Sequence, residues 1–340
     1  MSEPIFFSIV VPVFNSKTFI EANILSLTKL EFPTDKFEVI FVDDGSSDNS
    51  LSAIEGFLEF HHIKFSFQLL KNTATLGPGI ARNIGVTNAK GEWIIFLDSD
   101  DQLTSDSLRE LANHIQIQES MSGVDLVFFD GIAFGAQGEV LKEICKHECL
   151  MNSSSSKKNL VVEIKSILRL EFDEHVIFCT FKKEFLKANE ISFTSGIYED
   201  ILFISRSLIL SKTSMHLDKI LYKKFSRANQ ITGSFTLKHA EKYLHSRQGI
   251  WEWLKVNSEI SIGDFAPDYC HGVRGALGIL YRTSADEISP EYRNEFDTQL
   301  TRVAIGLFED LAEIIHAPLE TKLDEIAYSR FREIVALGKL

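Results

Sequence analysis

The sequence predicts an α/β fold, with a mostly parallel central sheet flanked by helices and a helical region appended at the C-terminal side. Three observations predict it. From Phe7 to Leu97, short runs rich in β-branched and aromatic residues alternate with helical patterns. Those runs are apolar almost throughout, as strands are when helices cover both faces of a sheet. Beyond Ser234 the strand signals stop and only helical periodicity continues.

Taken in order, Phe7 to Val13 reads as a strand, Ile20, Ile24 and Leu27 recur at helical spacing, and Phe37 to Val42 is strand-like again. Lys64 to Leu70 is a third strand, Gly79 to Ala89 a helix and Trp93 to Leu97 a fourth strand. This alternation needs crossovers between parallel strands, and ligands of such sheets bind beyond the carboxyl ends of the strands. A helix is expected over Ser105 to Gln118, then strands over Asp125 to Phe129 and Glu139 to Ile144. The serine run within Asn152 to Lys158 reads as a surface loop. A helix near Val162 to Leu170, a strand over Val176 to Phe181, a helix over Tyr198 to Leu210 and a strand near Ile220 to Phe225 follow. His239 to Val256, Tyr269 to Arg282, Glu291 to Ala317 and Leu323 to Leu337 all read as helices. The expected division is a first domain over 1–234 and a helical region over 235–340, without internal repeats.

With 340 residues, the chain is long enough for about two domains. Its 27 Phe against 7 Tyr and 3 Trp point to core filling, since phenyl rings have no polar handle. A net charge of −13 disfavours nucleic acid as a partner, because that affinity comes from Lys and Arg on phosphates. The 4 cysteines are scattered and fit a reducing compartment. Met1 to Val13 has no basic start or small-residue cleavage site, and no apolar run is long enough to cross a bilayer. A cytoplasmic location is expected, with membrane contact at most from the surface, at the inner face of the cell membrane.

Two acidic clusters follow buried strands: Asp43-Asp44-Gly45-Ser46-Ser47-Asp48 and Asp98-Ser99-Asp100-Asp101. Asp, Gly and Ser after a strand are ordinary turn and cap residues. Three carboxylates within four residues nevertheless repel one another, and a cation relieves that repulsion. Carboxylate oxygens suit Mg2+ or Mn2+, which bind through one or two carboxylates plus substrate phosphates. An acidic protein could hold a diphosphate in this way without a basic patch.

Five segments in order resemble family 2 nucleotide-sugar glycosyltransferases of the bacterial surface-glycan type. They are Ser8-Ile9-Val10-Val11-Pro12-Val13-Phe14-Asn15, Val42 to Asp48, Gly77-Pro78-Gly79-Ile80-Ala81-Arg82-Asn83-Ile84-Gly85, Ala89 to Asp101, and Tyr198-Glu199-Asp200. A looser likeness runs through Tyr222 to Thr232, where Gln230 stands in place of the family's Ser. The resemblance covers about two-thirds of the chain. It implies a glycosyltransferase A type fold, with a Rossmann-like sheet, and metal-dependent hexosyl or N-acetylhexosaminyl transfer with inversion. It implies a UDP-sugar donor, a glycan or glycolipid acceptor, and Mn2+ or Mg2+. Pro12, Val13, Phe14 and Asn15 would floor the nucleotide base, and Asp44 would accept from the uracil imide. Asp98 and Ser99 would hold the ribose, and Asp100 would ligate the metal. Arg82 would lie under the site and pair with a carboxylate, and Arg227 would approach the phosphates. Asp200 would be the general base, with Glu199 beside it directed elsewhere.

Weaker candidates are Cys145-Lys146-His147-Glu148-Cys149, which lacks a second ligand pair for zinc, and His61-His62, which reads as solvated. A metal-dependent nucleotidyl- or polyol-phosphate transferase and a non-catalytic glycan-binding protein are the rival readings. The C-terminal helices carry apolar faces compatible with packing on protein, including self-association.

Overall fold

The computed structural model of the chain describes residues 4–120, 123–144, 157–171, 174–195, 198–226, 235–257, 261–308, 311–316 and 320–336. They form two compact units, one of Met1–Asn159 with Glu174–Ala228, the other of Leu160–Asp173 with Asn229–Leu340.

The first unit begins with β1 (Phe7–Val13), α1 (Ile20–Leu27), β2 (Phe37–Asp43), α2 (Ser50–Phe60), β3 (Ser66–Lys71), α3 (Pro78–Asn88) and β4 (Trp93–Phe96). These strands lie in the order β3-β2-β1-β4, all parallel. β1 and β2 are buried along their whole length, which is why both read as nearly unbroken apolar runs. Their polar exceptions are satisfied. Glu38 in β2 accepts from Ser8 Oγ at 2.7 Å, the Lys90 N–H at 2.6 Å and Gln68 Nε2 at 3.1 Å, so both of its buried oxygens are hydrogen-bonded. α3 lies close on β1 because position 85 is glycine, where a Cβ would sit 2.2 Å from Val10 Cγ1.

The rest of the sheet is mixed. After β4 come β5 (Gln102–Leu103), α4 (Ser107–Glu119), β6 (Leu126–Phe134), β7 (Val140–Ile144), α5 (Lys157–Leu168), β8 (Cys179–Lys182), α6 (Lys183–Ala188), α7 (Glu199–Leu210) and β9 (Ser214–Phe225). β8 runs antiparallel between β4 and β6, β9 runs parallel to β6, and β5 closes antiparallel onto β9. β7 pairs antiparallel with β6. β6 and β9 extend well past the expected strands. Their additional residues include Asp130, Gly131, His216, Asp218 and Lys219, which carry no apolar signal, yet the two strands pair along this stretch through two register shifts. The expected strand over Val176 to Phe181 starts as a 3-10 turn at Val176–Phe178.

In the second unit, α8 (Leu237–Asn257), α9 (Ala266–Glu287), α10 (Pro290–Leu307), α11 (Leu311–His316) and α12 (Lys322–Ala336) enclose a core that includes Leu244, Val273, Leu277, Leu300 and Phe331. The single helix expected over Glu291 to Ala317 is two helices, because Phe308 takes an extended φ of −112° and ψ of 108°. Segment Leu160–Asp173 belongs to this unit. A Cβ at Gly272 would lie 1.7 Å from the Leu168 carbonyl oxygen, and Arg169 pairs with Asp268 at 3.3 Å and Glu320 at 2.7 Å. Among the described residues, no helix is long and apolar enough to cross a membrane.

Candidate active site

The acidic clusters sit where β2 and β4 end, beside the end of β1. Pro12 and Val13 remain inside β1, paired with Val42 and Asp43, and the Val13 carbonyl accepts the Asp44 N–H at 2.8 Å. Both side chains are buried, so only Phe14, 42% exposed, and Asn15 emerge at the strand end. Asn15 adopts φ 49°, donates its N–H to Ser46 Oγ at 3.0 Å and accepts the Ser47 N–H at 2.9 Å. These bonds stitch the loops after β1 and β2 together.

The two adjacent carboxylates at the end of β2 are both buried and have different partners. Asp44 accepts from Asn72 Nδ2 at 2.9 Å, from the Leu76 N–H at 3.1 Å and from the Gly77 N–H at 2.7 Å. It thereby fixes the loop that enters α3. Asp43 accepts the Ser46 N–H at 3.1 Å through Oδ1, and its Oδ2 has no partner among the described residues. Gly45, at φ 77°, makes the turn between these loops and lies against Thr75.

Asp98, Asp100 and Asp101 bring one carboxylate oxygen each within 4.8 Å of one another, a donor set whose chemistry fits a hard divalent cation. Their surroundings differ. Asp101 is buried, and its oxygens accept from the Tyr222 hydroxyl at 2.8 Å and the Phe225 N–H at 2.8 Å. Burial, with Asp98 beside it, pushes the Asp101 carboxyl up to about 7 against those hydrogen bonds. Asp98 is half-buried and takes Arg82 Nη2 at 2.8 Å. Asn23 Nδ2 donates to the Asp98 carbonyl at 3.1 Å and the Asp101 carbonyl at 2.8 Å, clasping the loop from α1. Ser99 is buried and shares a 2.6 Å hydrogen bond with Ser16 Oγ.

Arg82, buried on α3, spans the cleft. Its Nη1 donates to Glu199 Oε1 at 2.7 Å while Nη2 holds Asp98, and its guanidinium lies 5.5 Å from the Phe193 ring centroid. Asn83 adds a two-way bond to the backbone of Phe193, at 2.8 and 2.9 Å. Tyr198, at φ 63°, turns the chain into α7, whose first residues are Glu199 and Asp200. Glu199 is buried against Gly79, where a Cβ would come within 2.6 Å of its Cγ. Burial pushes the Glu199 carboxyl up to about 7 despite the pull of Arg82. Asp200 is half-buried; burial raises its carboxyl, while Arg82 and His175 draw it down.

Pro12, Val13, Phe14, Asn15, Asp44, Arg82, Asp98, Ser99, Asp100 and Asp200 are thus all in the first unit, whereas Arg227, the Asn229 to Thr232 stretch and Cys145 to Cys149 lie outside the described residues. The sequence reading missed Asn23 and Ser16, and took Tyr222 only as the start of the looser family likeness, with no role at the acidic cluster. Each is an ordinary helix, strand or loop residue, and only the tertiary pairing of α1 and β9 with the loop after β4 brings them to the cluster.

Comparison with known proteins gives a family and a fold. Residues 8–131 match the glycosyl transferase family 2 model. Poly(ribitol-phosphate) beta-N-acetylglucosaminyltransferase TarS of Staphylococcus aureus strain Mu50 is 30% identical over 228 residues, 66% of this chain and 36% of that protein. Poly(ribitol-phosphate) beta-glucosyltransferase of Bacillus spizizenii strain W23 is 29% identical over 212 residues, 60% of this chain and 30% of that protein. The chain therefore spans about a third of the length of these two curated relatives. The crystal structure of S. aureus TarS 1–349 in complex with UDP-GlcNAc superposes with a TM-score of 0.70, covering 98% of this chain and 90% of that one at 20% identity. That likeness is one of fold, a glycosyltransferase A type sheet with C-terminal helices present beside it.

Proposed function

The chain belongs to glycosyl transferase family 2 through residues 8–131, and on that premise we propose an inverting glycosyltransferase that moves a sugar from a UDP-sugar to a glycan acceptor of the cell surface. The observation that carries the proposal is the Arg82 bridge. One buried guanidinium holds the acidic loop after β4 at one end and the start of α7 at the other, which sets Asp200 beside the donor cluster.

Asp200 is the general base in this reading. An acceptor hydroxyl attacking the anomeric carbon must lose its proton as the bond forms, and a half-buried carboxylate of raised pKa holds that proton at Oδ1 or Oδ2. Glu199 is unsuited to that task, because its oxygen is tied to Arg82 inside the protein. Attack from the Asp200 side, with the nucleotide leaving on the opposite side, inverts the anomeric configuration. Asp100, with the outward oxygen of Asp98, would hold Mn2+ or Mg2+. Asp101 is the inner member of the set, each of its oxygens already accepting one hydrogen bond from β9. When bound, the ion supplies charge neutralisation for the departing diphosphate.

Phe14 and Asn15 form the base floor in this assignment, with Pro12 and Val13 as buried support. The acceptor for the uracil imide passes from Asp44 to Asp43, because Asp44 is spent on the Leu76–Gly77 loop. Asp98 and Ser99 are assigned to the ribose, and Arg227 to the phosphates. Poly(ribitol-phosphate) in the names of two relatives supports a polymer of a surface glycan as acceptor, and we place the reaction in the cytoplasm.

A panel of UDP-sugars with Mn2+, Mg2+ or chelator tests the proposal without an acceptor, through slow hydrolysis. Metal-dependent release of UDP from one sugar is expected. Release of pyrophosphate, or of nothing from any donor, would overturn it.

A further inference from the structure

Tyr222 is a fully buried phenol, 0% exposed, in a core whose buried aromatic residues are mostly Phe. A phenylalanine at this strand position would pack without the cost of a buried hydroxyl, so the hydroxyl calls for a reason other than packing. Both of its hydrogen bonds run to one loop. It donates to Asp101 Oδ2 at 2.8 Å and accepts the Asp98 N–H at 3.1 Å.

The ring that carries this hydroxyl is fixed from several directions. β9 pairs Tyr222 with Leu103 of β5 on one edge and Gly131 of β6 on the other. Gly131 leaves room for Phe178, since a Cβ there would stand 2.3 Å from the Phe178 ring, and that ring meets Tyr222 edge-on at 5.3 Å. The Thr104 N–H bond to the Leu221 carbonyl, 3.0 Å, closes the seam just beyond the loop. Asp98 and Asp101, the residues it grips, flank Asp100 in a turn closed by the Asp101 N–H to the Asp98 carbonyl at 3.0 Å.

We propose that Tyr222 is the positioning residue of the Asp98–Asp101 loop, orienting Asp98 and Asp100 for the divalent cation from inside the sheet without touching the cation or the substrate. This rests on the metal assignment made above. Partners of this kind, which hold the groups that hold the ion, change metal affinity by about 10- to 100-fold when removed.

The test compares Mn2+ binding to the full-length protein in the presence of UDP, read by electron paramagnetic resonance of free Mn2+, for the wild type, Tyr222→Phe and Tyr281→Phe. Tyr281 is the control: a buried tyrosine of the helical unit whose hydroxyl bonds Thr301 at 2.7 Å. Tyr222→Phe should weaken Mn2+ binding about 10- to 100-fold and raise KM for the donor, with kcat largely restored at high Mn2+. Tyr281→Phe should leave binding unchanged. Wild-type affinity in a folded Tyr222→Phe would overturn the inference alone, and so would equal weakening in both variants, which marks a merely structural effect. A wild type that binds no Mn2+ would overturn the metal assignment and this inference with it. Asp200→Asn, which should bind Mn2+ normally, reports the base assignment separately. If Tyr222→Phe does not fold, Asn23→Ala, which removes the clasp on the same loop, must weaken Mn2+ binding in the same direction for the inference to stand.

Discussion

Glu199 and Asp200 are neighbours with opposite surroundings, and the difference yields two predictions. Asp200→Asn keeps the side chain's size and removes its basicity, so turnover should fall by about two to four orders of magnitude with donor KM nearly unchanged, measured by initial rates. An inactive Glu199→Gln beside an active Asp200→Asn would reverse the assignment. Glu199 also gives a pH dependence. Its carboxyl rises on folding from 4.5 to about 7, so in that window the folded chain holds a proton that the unfolded chain has lost. Its contribution to stability is therefore largest below 4.5 and declines as pH rises towards 7. Urea titrations should show Glu199→Gln gaining on the wild type from pH 5 to pH 7.5; a constant difference would contradict the raised value. The acidic clusters and the Tyr198-Glu199-Asp200 segment were legible as chemistry in the sequence. Which of two adjacent carboxylates takes which partners was less so, because it is decided by single backbone turns such as Gly45 at φ 77° and by hydrogen bonds from distant residues such as Gly77.

α3 is the element through which the sheet and the site communicate. One face rests on β1 through Gly85, and its first turn receives Glu199 through Gly79. Two alanine substitutions should separate those roles. Gly85→Ala drives a methyl into Val10 and should cost about 1–3 kcal/mol of stability, read by denaturant midpoint. Gly79→Ala meets Glu199, Thr194 and Phe193, so it should displace the segment that carries Asp200 and lower kcat about 10- to 100-fold, with a smaller change in stability. Equal stability losses and unchanged kcat for Gly79→Ala would show that the α3 contact does not position the base. The parallel half of the sheet was legible because β1, β2 and β4 are buried on both faces and composed accordingly. The mixed half was legible only in part. β5 has two residues, and β9 is a half-exposed strand rich in Lys, His and Asp whose pairing comes from β6 rather than from its own pattern. The break at Phe308 lies in an apolar, helix-compatible stretch, so periodicity alone ran through it.

At the scale of the whole chain, the linear boundary expected at 234 and the two compact units divide the residues differently at two places, over 229–234 and over Leu160–Asp173. In sequence, Leu160–Asp173 lies between the two stretches of the first unit and yet belongs to the helical one. Its attachments are specific: the Leu168 carbonyl against Gly272, Leu170 packed on the helical core, and Arg169 paired with Asp268 and Glu320. A chain ending at residue 234 would keep this segment and remove everything it binds. Ile167 and Leu168, which with Ile250 and Val273 line a small cavity inside the helical unit, would lose their cover. Burial of side chains of that size is worth about 1.5–3 kcal/mol each, so the simple truncation should be poorly soluble. Replacing 160–173 by a Gly/Ser linker in the same truncation removes the exposed apolar segment together with its missing partners. That second protein should be soluble, bind UDP in calorimetry with Mn2+, and fail to transfer sugar to acceptor, if the helices position the acceptor. Full transfer by the linker version would show that the first unit alone carries the reaction. Insolubility of both versions, with a soluble full-length chain, would show that the first unit needs the helices to fold.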